Sequence, residues 1–134
     1  HVRELLEPEL VRLAAEALSL EIRKRLQKLT RDMEQAAKAG DRPTWSKLDI
    51  KWHELLSDQC PNRLLGQMVM EARNRMYIKA ANEHVTDQYI IDGTTEHKQV
   101  VEAIMAGDGE AAEKLMVEHI RNLRENLFKR LMRY

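Results

Sequence analysis

The sequence predicts an all-α fold, an antiparallel bundle of about six helices. Three observations carry this. Only three prolines and five glycines interrupt the 134 residues. Apolar residues recur at spacings of three and four along nearly the whole chain, and Leu, Ala, Glu, Lys, Arg and Met, all good helix formers, dominate it. With 43% apolar and 33% charged residues, the length suits one domain around one core.

The first helix is expected over Val2–Ala17, with Leu6, Leu10, Leu13 and Ala17 on one face and Pro8 either bending it or marking a late start. Ser19 caps a second helix with the stripe Ile22, Leu26, Leu29, Met33 and Ala37, which Gly40 ends. Asp41 caps the third. Its inner side is Trp45, Leu48, Trp52, Leu55 and Leu56, and it stops near Cys60-Pro61, because proline disfavours helix in the residue before it. Asn62 restarts the chain into a fourth helix carrying Leu65, Met68, Val69, Ala72 and Met76, which fades over Asn82 to Asp87 into a looser stretch ending at Gly93. Thr94 is the expected cap of the fifth helix, with Val100, Val101 and Ile104. Gly107 ends it, and Asp108 caps the sixth, which carries Ala112, Leu115, Leu123, Leu127 and Leu131. Ala-Gly-Asp occurs at 39–41 and again at 106–108; it reads better as one helix stopping and the next starting than as an internal duplication.

Lys plus Arg and Asp plus Glu both number 22, so there is no basic surplus to neutralise a phosphate backbone, and the chain is not expected to hold DNA by itself. One cysteine, Cys60, excludes an intrachain disulfide and reads as a helix-end filler. The seven methionines read as core packing. No apolar run is long enough to span a membrane and no signal-peptide pattern is present, so the expected location is the cytoplasm. The chain starts without Met, directly in a helical pattern, as expected of a piece of a longer protein.

Four polar residues fall on apolar stripes. Asp49 and His53 stand four apart, so they project from one helix face one turn apart. Asp49 lies among Trp45, Leu48, Trp52 and Leu56, where an unpartnered carboxylate costs several kcal/mol or takes up a proton. His97 aligns with Val100, Val101 and Ile104, and His119 with Ala112, Leu115, Leu123 and Asn126. If the last two helices form a hairpin at Gly107, His97 lies ten residues before the turn and His119 twelve after it. At about 1.5 Å per residue these are roughly 15 Å and 18 Å, so the rings are nearly level. Three neutral imidazoles and a carboxylate suit a divalent zinc, nickel or manganese ion with positions left open. A place near a helix N-terminus would keep His97 neutral, the form a metal requires. His84, where the fourth helix fades, and His1 are weaker candidates.

The ordered residues resemble a known family. Val2-Arg3-Glu4-Leu5-Leu6-Glu7-Pro8, with Leu13-Ala14-Ala15, resembles the start of the C-terminal effector domain (FCD type) of FadR-type regulators in the GntR superfamily. Leu48-Asp49-Ile50-Lys51-Trp52-His53 resembles that family's Asp-x-x-Phe-His, with Trp52 in place of Phe. Asn62-Arg63-Leu64-Leu65 resembles the following Asn-Pro-Leu-Leu, with Arg63 in place of Pro. Glu96-His97, Ala103-Ile104, Gly107-Asp108, Ala112 and Met116 with His119 match the last two helices. The resemblance implies a bundle with a metal-centred internal cavity held by Asp49, His53, His97 and His119, a small organic acid bound there, a homodimer, and a winged helix-turn-helix DNA-binding domain that this chain lacks. Effector binding would then alter operator affinity through a coupling of about 1 to 3 kcal/mol.

A carboxylate effector needs a cation for its other end, and Arg73, on the inner face of the fourth helix, is the candidate, with Arg75 at the stripe edge. Asn122 and Asn126 are placed to donate hydrogen bonds into the same space. Two other function classes compete. A metal-free interaction or dimerisation module leaves Asp49 unexplained. A metal-dependent hydrolase needs a general base, and Glu54 points about 100° away from His53. A ferritin-like di-metal oxidase lacks its Glu-x-x-His motif. The expected function is therefore sensing, not catalysis.

Overall fold

The structure is a computed structural model that describes residues 2–80 and 86–131, with side chains described over 2–75 and 86–126. Its described elements are six helices in order: α1 Val2–Ala17, α2 Leu20–Lys38, α3 Arg42–Asp58, α4 Arg63–Ala80, α5 Asp87–Met105 and α6 Gly109–Leu131. The all-helical expectation holds, and among the described residues no helix is long and apolar enough to cross a membrane.

Most ends fall where the sequence places them because the capping chemistry is local. Ser19 accepts from the Ile22 amide, Asp41 from Thr44, Asn62 from Leu65 and Asp108 from Ala111, each filling an otherwise orphaned N–H of a first turn. The two Ala-Gly-Asp tripeptides do the same job twice. Gly40 and Gly107 take positive φ of 69° and 72°. The amides of Asp41 and Asp108 then return to the Ala36 and Ala103 carbonyls at 2.9 Å, closing Schellman turns before each Asp caps the next helix. α1 is helical on both sides of Pro8, which rules out a late start there.

Three assignments are corrected. α5 begins eight residues earlier than expected, with Thr86 as N-cap accepting from Tyr89. Thr94 is not a cap: its hydroxyl donates to the Ile90 carbonyl one turn back and accepts from Trp45 Nε1 at 2.8 Å. The buried residues of α1 are Glu7, Pro8, Leu10, Val11, Ala14 and Ala15, with Ala17 exposed, because α3, α4, α5 and α6 all pack against this helix. Met68 is 44% exposed, since among the described residues α4 meets only α1 and α3. The side chains of Met76, Leu127 and Leu131, and residues His1, Asn82 and His84, lie outside what is described.

The core runs through Leu10, Val11, Leu26, Met33, Trp52, Leu56, Val69, Val100, Ile104 and Met116, all nearly inaccessible. Arg23 fastens one end of the bundle. Its guanidinium donates to the Leu18 carbonyl at 2.8 Å, to Ala15 at 2.7 Å and to Ile104, satisfying terminal carbonyls of α1 and α5 with one cation. α5 packs on α1, α2 and α6, whereas the α3 and α5 backbones make no close approach among the described residues. Side chains alone span that gap.

Candidate metal centre

Asp49 and His53 lie one turn apart on α3, His97 on α5 and His119 on α6, and all four are buried. Asp49 Oδ1 is 3.3 Å from His53 Nε2 and 3.2 Å from His97 Nε2, and the two ring nitrogens are 3.3 Å apart. The ligand atoms of these three residues form one cluster within 4.8 Å. His119 is not in that three-residue cluster; its ring packs edge-on against His97, the centroids 4.8 Å apart at an interplanar angle of 72°. The hairpin at Gly107 thus brings the last two imidazoles level.

The outer side of each ring meets an oxygen. His97 Nδ1 donates to the Gly93 carbonyl at 2.6 Å, His119 Nδ1 pairs with Glu96 Oε1 at 2.9 Å, and His53 Nδ1 faces Glu7 Oε1 at 3.5 Å. Carbonyls and carboxylates only accept, so neutral His97 and His119 carry their protons on Nδ1, whereas His53 has a carboxylate oxygen beside each nitrogen, Glu7 at Nδ1 and Asp49 at Nε2,. At the centre the His97 Nε2 lone pair and the Asp49 carboxylate oxygen meet as two acceptors, and His53 Nε2 is the ring atom that can place a proton between them,. Either that proton or a metal ion can fill the centre, and two nitrogens with one oxygen suit a borderline divalent ion. The residues fit the group that the sequence pattern suggested.

Burial, reinforced by the Arg73 charge, pushes His53 down to about 3 despite the carboxylates of Asp49 and Glu7, so the ring is neutral at pH 7,. Burial works against ionised Asp49, but its contacts with His53, His97 and Arg73 outweigh that and hold it well below the usual range. With His53 neutral, Arg73 is the lasting counter-charge. Burial also lowers His119, although Glu96 opposes the shift. The expected dipole effect on His97 does not apply. α5 starts ten residues before this ring, whereas the dipole acts over about the first turn. The Gly93 carbonyl orients the ring instead.

Trp52 forms the floor, edge-on to His53 at 4.7 Å and to His97 at 4.4 Å, with Nε1 donating to Thr30 Oγ1 at 2.9 Å. Arg73 reaches the site, its guanidinium 3.4 Å from Asp49 Oδ2 and 3.7 Å from Glu7 Oε1. Asn122 is exposed and donates to Glu96 Oε2 at 2.6 Å, so it touches the carboxylate behind His119. Asn126 is half-buried, one turn further along α6. Arg75 is exposed and paired with Glu71, and Glu54 is exposed on α3. Cys60 is buried, and burial pushes its thiol up, as suits a packing residue.

Two carboxylates escaped the sequence reading. Glu7 is 1% exposed, and its Oε1 has no hydrogen-bond partner. Its signal was available, because Glu7 precedes Leu10 and Val11 by three and four residues and so shares their face. Glu96, beside His97 in sequence, meets His119 only through the hairpin.

Residues 1–122 match the model of the FCD domain family. Among solved structures, Streptococcus agalactiae GntR is 26% identical with a TM-score of 0.80, over 93% of this chain and 56% of that one. E. coli McbR/YncC shares the fold at 19% identity and the same TM-score, over 96% of this chain and 65% of that one. The chain therefore spans less than two thirds of either. A search of the curated proteins found no match.

Proposed function

The chain belongs to the FCD domain family, and from that premise we propose that it is the ligand-sensing domain of a GntR-type transcription regulator. In this reading it binds a small organic acid at a divalent metal held by Asp49, His53, His97 and His119. One observation carries it: Asp49 Oδ1, His53 Nε2 and His97 Nε2 converge at 3.2 to 3.3 Å, with the outer nitrogen of His97 already engaged by the Gly93 carbonyl. Zinc is the first metal to test, with nickel and manganese as alternatives. When bound, the ion supplies an electrophilic centre for a ligand oxygen.

Charge favours an anionic ligand. Glu7 and Asp49 are offset by Arg3 and Arg73, and the imidazole of His53 is neutral, so a divalent ion adds two unmatched positive charges to a buried region. A carboxylate reduces that excess. Arg73 is placed to hold its far end, while Asn122 and Asn126 line the approach beside His119, where Glu96 is only half-buried. A metal-centred cavity opens there on binding, and the ligand state passes within a homodimer to a DNA-binding domain in another part of the regulator. Without basic surplus, this domain contacts no DNA itself.

The metal-free module also has one observation in its favour, since Arg73 gives Asp49 a partner without any ion. Elemental analysis of protein purified without immobilised metal or chelator separates the two. About one ion per chain, with a metal-dependent rise in melting temperature on adding small carboxylic acids, supports the sensing reading. Metal content near zero that stays there after zinc is added back overturns it.

A further inference from the structure

We propose that Glu7 is a positioning residue for the metal centre, holding His53 in its Nδ1–H form and thereby making metal uptake depend on the first two turns of α1. This rests on the metal reading above. Glu7 is the buried anion of α1, and its two oxygens face different tasks. Oε2 accepts from Arg3 Nε at 2.6 Å. Oε1 lies 3.5 Å from His53 Nδ1 and 3.7 Å from Arg73 Nη1, without a completed hydrogen bond. A buried carboxylate oxygen left in that state is costly, and a small approach by the imidazole relieves it.

The opposite tautomer would let Nε2–H donate to Asp49 Oδ1 at 3.3 Å, but it works against metal uptake on both sides of the ring. It sets the Nδ1 lone pair against the Glu7 carboxylate, two acceptors face to face, and it puts a proton on Nε2 where the ion must bind. A metal on Nε2 makes the Nδ1 proton a stronger donor and draws Glu7 inward, as carboxylates behind metal-bound histidines do elsewhere. The dependence is reciprocal. If docking of α1 strengthens metal binding, metal binding strengthens the docking of α1 by the same factor. Glu7 and Arg3 both belong to the opening turns of α1, so occupancy of the interior is registered where that helix begins.

Glu7→Gln tests this, because glutamine offers one acceptor oxygen where Arg3 and His53 need two. Zinc affinity by chelator competition is expected to fall about 10- to 100-fold. Zinc is expected to slow hydrogen exchange at the Leu6 and Glu7 amides in the wild type, and the matching amides are expected to lose that effect in the variant. Equal affinity and an equal exchange response in the two proteins overturn the proposal. The tautomer of His53, read from long-range proton–nitrogen spectra of the metal-free wild type, decides independently of the variant's folding: Nδ1–H supports the role of Glu7 and Nε2–H overturns it. A wild type that takes up no zinc overturns the metal reading instead, and the tautomer still decides whether Glu7 orients the ring.

Discussion

The Nε2 atoms of His53 and His97 face each other at 3.3 Å across a gap that the backbones of their helices do not close. Each ring is turned so that its opposite nitrogen meets an oxygen. The proposed ion would lie between them, and several outcomes follow for variants and conditions.

His97→Ala removes a central nitrogen and leaves Asp49 with Arg73. With zinc at about a hundred times its Kd, the wild type is expected to gain about 2.7 kcal/mol. The variant is expected to gain close to none, and His119→Ala to lower both metal retention and thermal stability. Thermal unfolding with and without zinc reads these differences, and a full zinc response in His97→Ala sinks the central site.

Acid should destabilise the metal-free domain early. His53 titrates near 6.5 when unfolded and at about 3 when folded, so below about pH 6.5 the unfolded chain binds the extra proton and stability falls as pH falls towards 3. The depressed Asp49 adds a further loss in the same direction below about pH 4,. Urea midpoints between pH 8 and 5 measure the slope. His53→Gln should flatten it, and an unchanged slope contradicts the buried neutral ring.

Gly66→Ala should separate α3 from α4. A Cβ at Gly66 would stand 2.3 Å from the Ser57 carbonyl oxygen, which is backbone and cannot swing aside. The expected cost is about 1 to 3 kcal/mol, the usual range for overpacking. Gly93→Ala, where a Cβ meets nothing within 4 Å, is the matched control and should leave stability near or slightly above wild type. Urea denaturation of both variants is the check.

Arg23→Lys retains the charge but loses the planar fork that serves three carbonyls,. A loss of about 2 kcal/mol is expected, comparable to one or two charge-assisted hydrogen bonds. The unfolding midpoint should show it, while zinc affinity, read separately, should stay unchanged.

Much of this was legible because the deciding interactions are local or periodic. Asp49 and His53 share a face through four-residue spacing, and the Gly107 turn makes the heights of His97 and His119 a matter of counting. The start of α5 was not legible. Gly93-Thr94 has the residues of a boundary, yet Gly93 is buried in mid-helix and lends its carbonyl to His97, while Thr94 turns its hydroxyl to Ile90 and Trp45. The role of Glu7 depends on how α1 lies against α3 and α4, a relation that no single-helix pattern contains. Ala17 and Met68 were misplaced for a similar reason, because each falls at the edge of a stripe and the partners of its helix decide which edge is covered.

Because only side chains join α3 to α5, the width of that gap is a sum of ring sizes. Trp45 meets Thr94, Trp52 lies against both histidines, and Arg42 meets Asp87 where the two helices begin. Indoles and imidazoles here serve as spacers of fixed thickness, and the interior can be made wider or narrower by exchanging one ring for another without disturbing a single helical hydrogen bond. Trp52, where the resembled motif has phenylalanine, is such an exchange, and its indole sets how far apart the His53 and His97 rings stand.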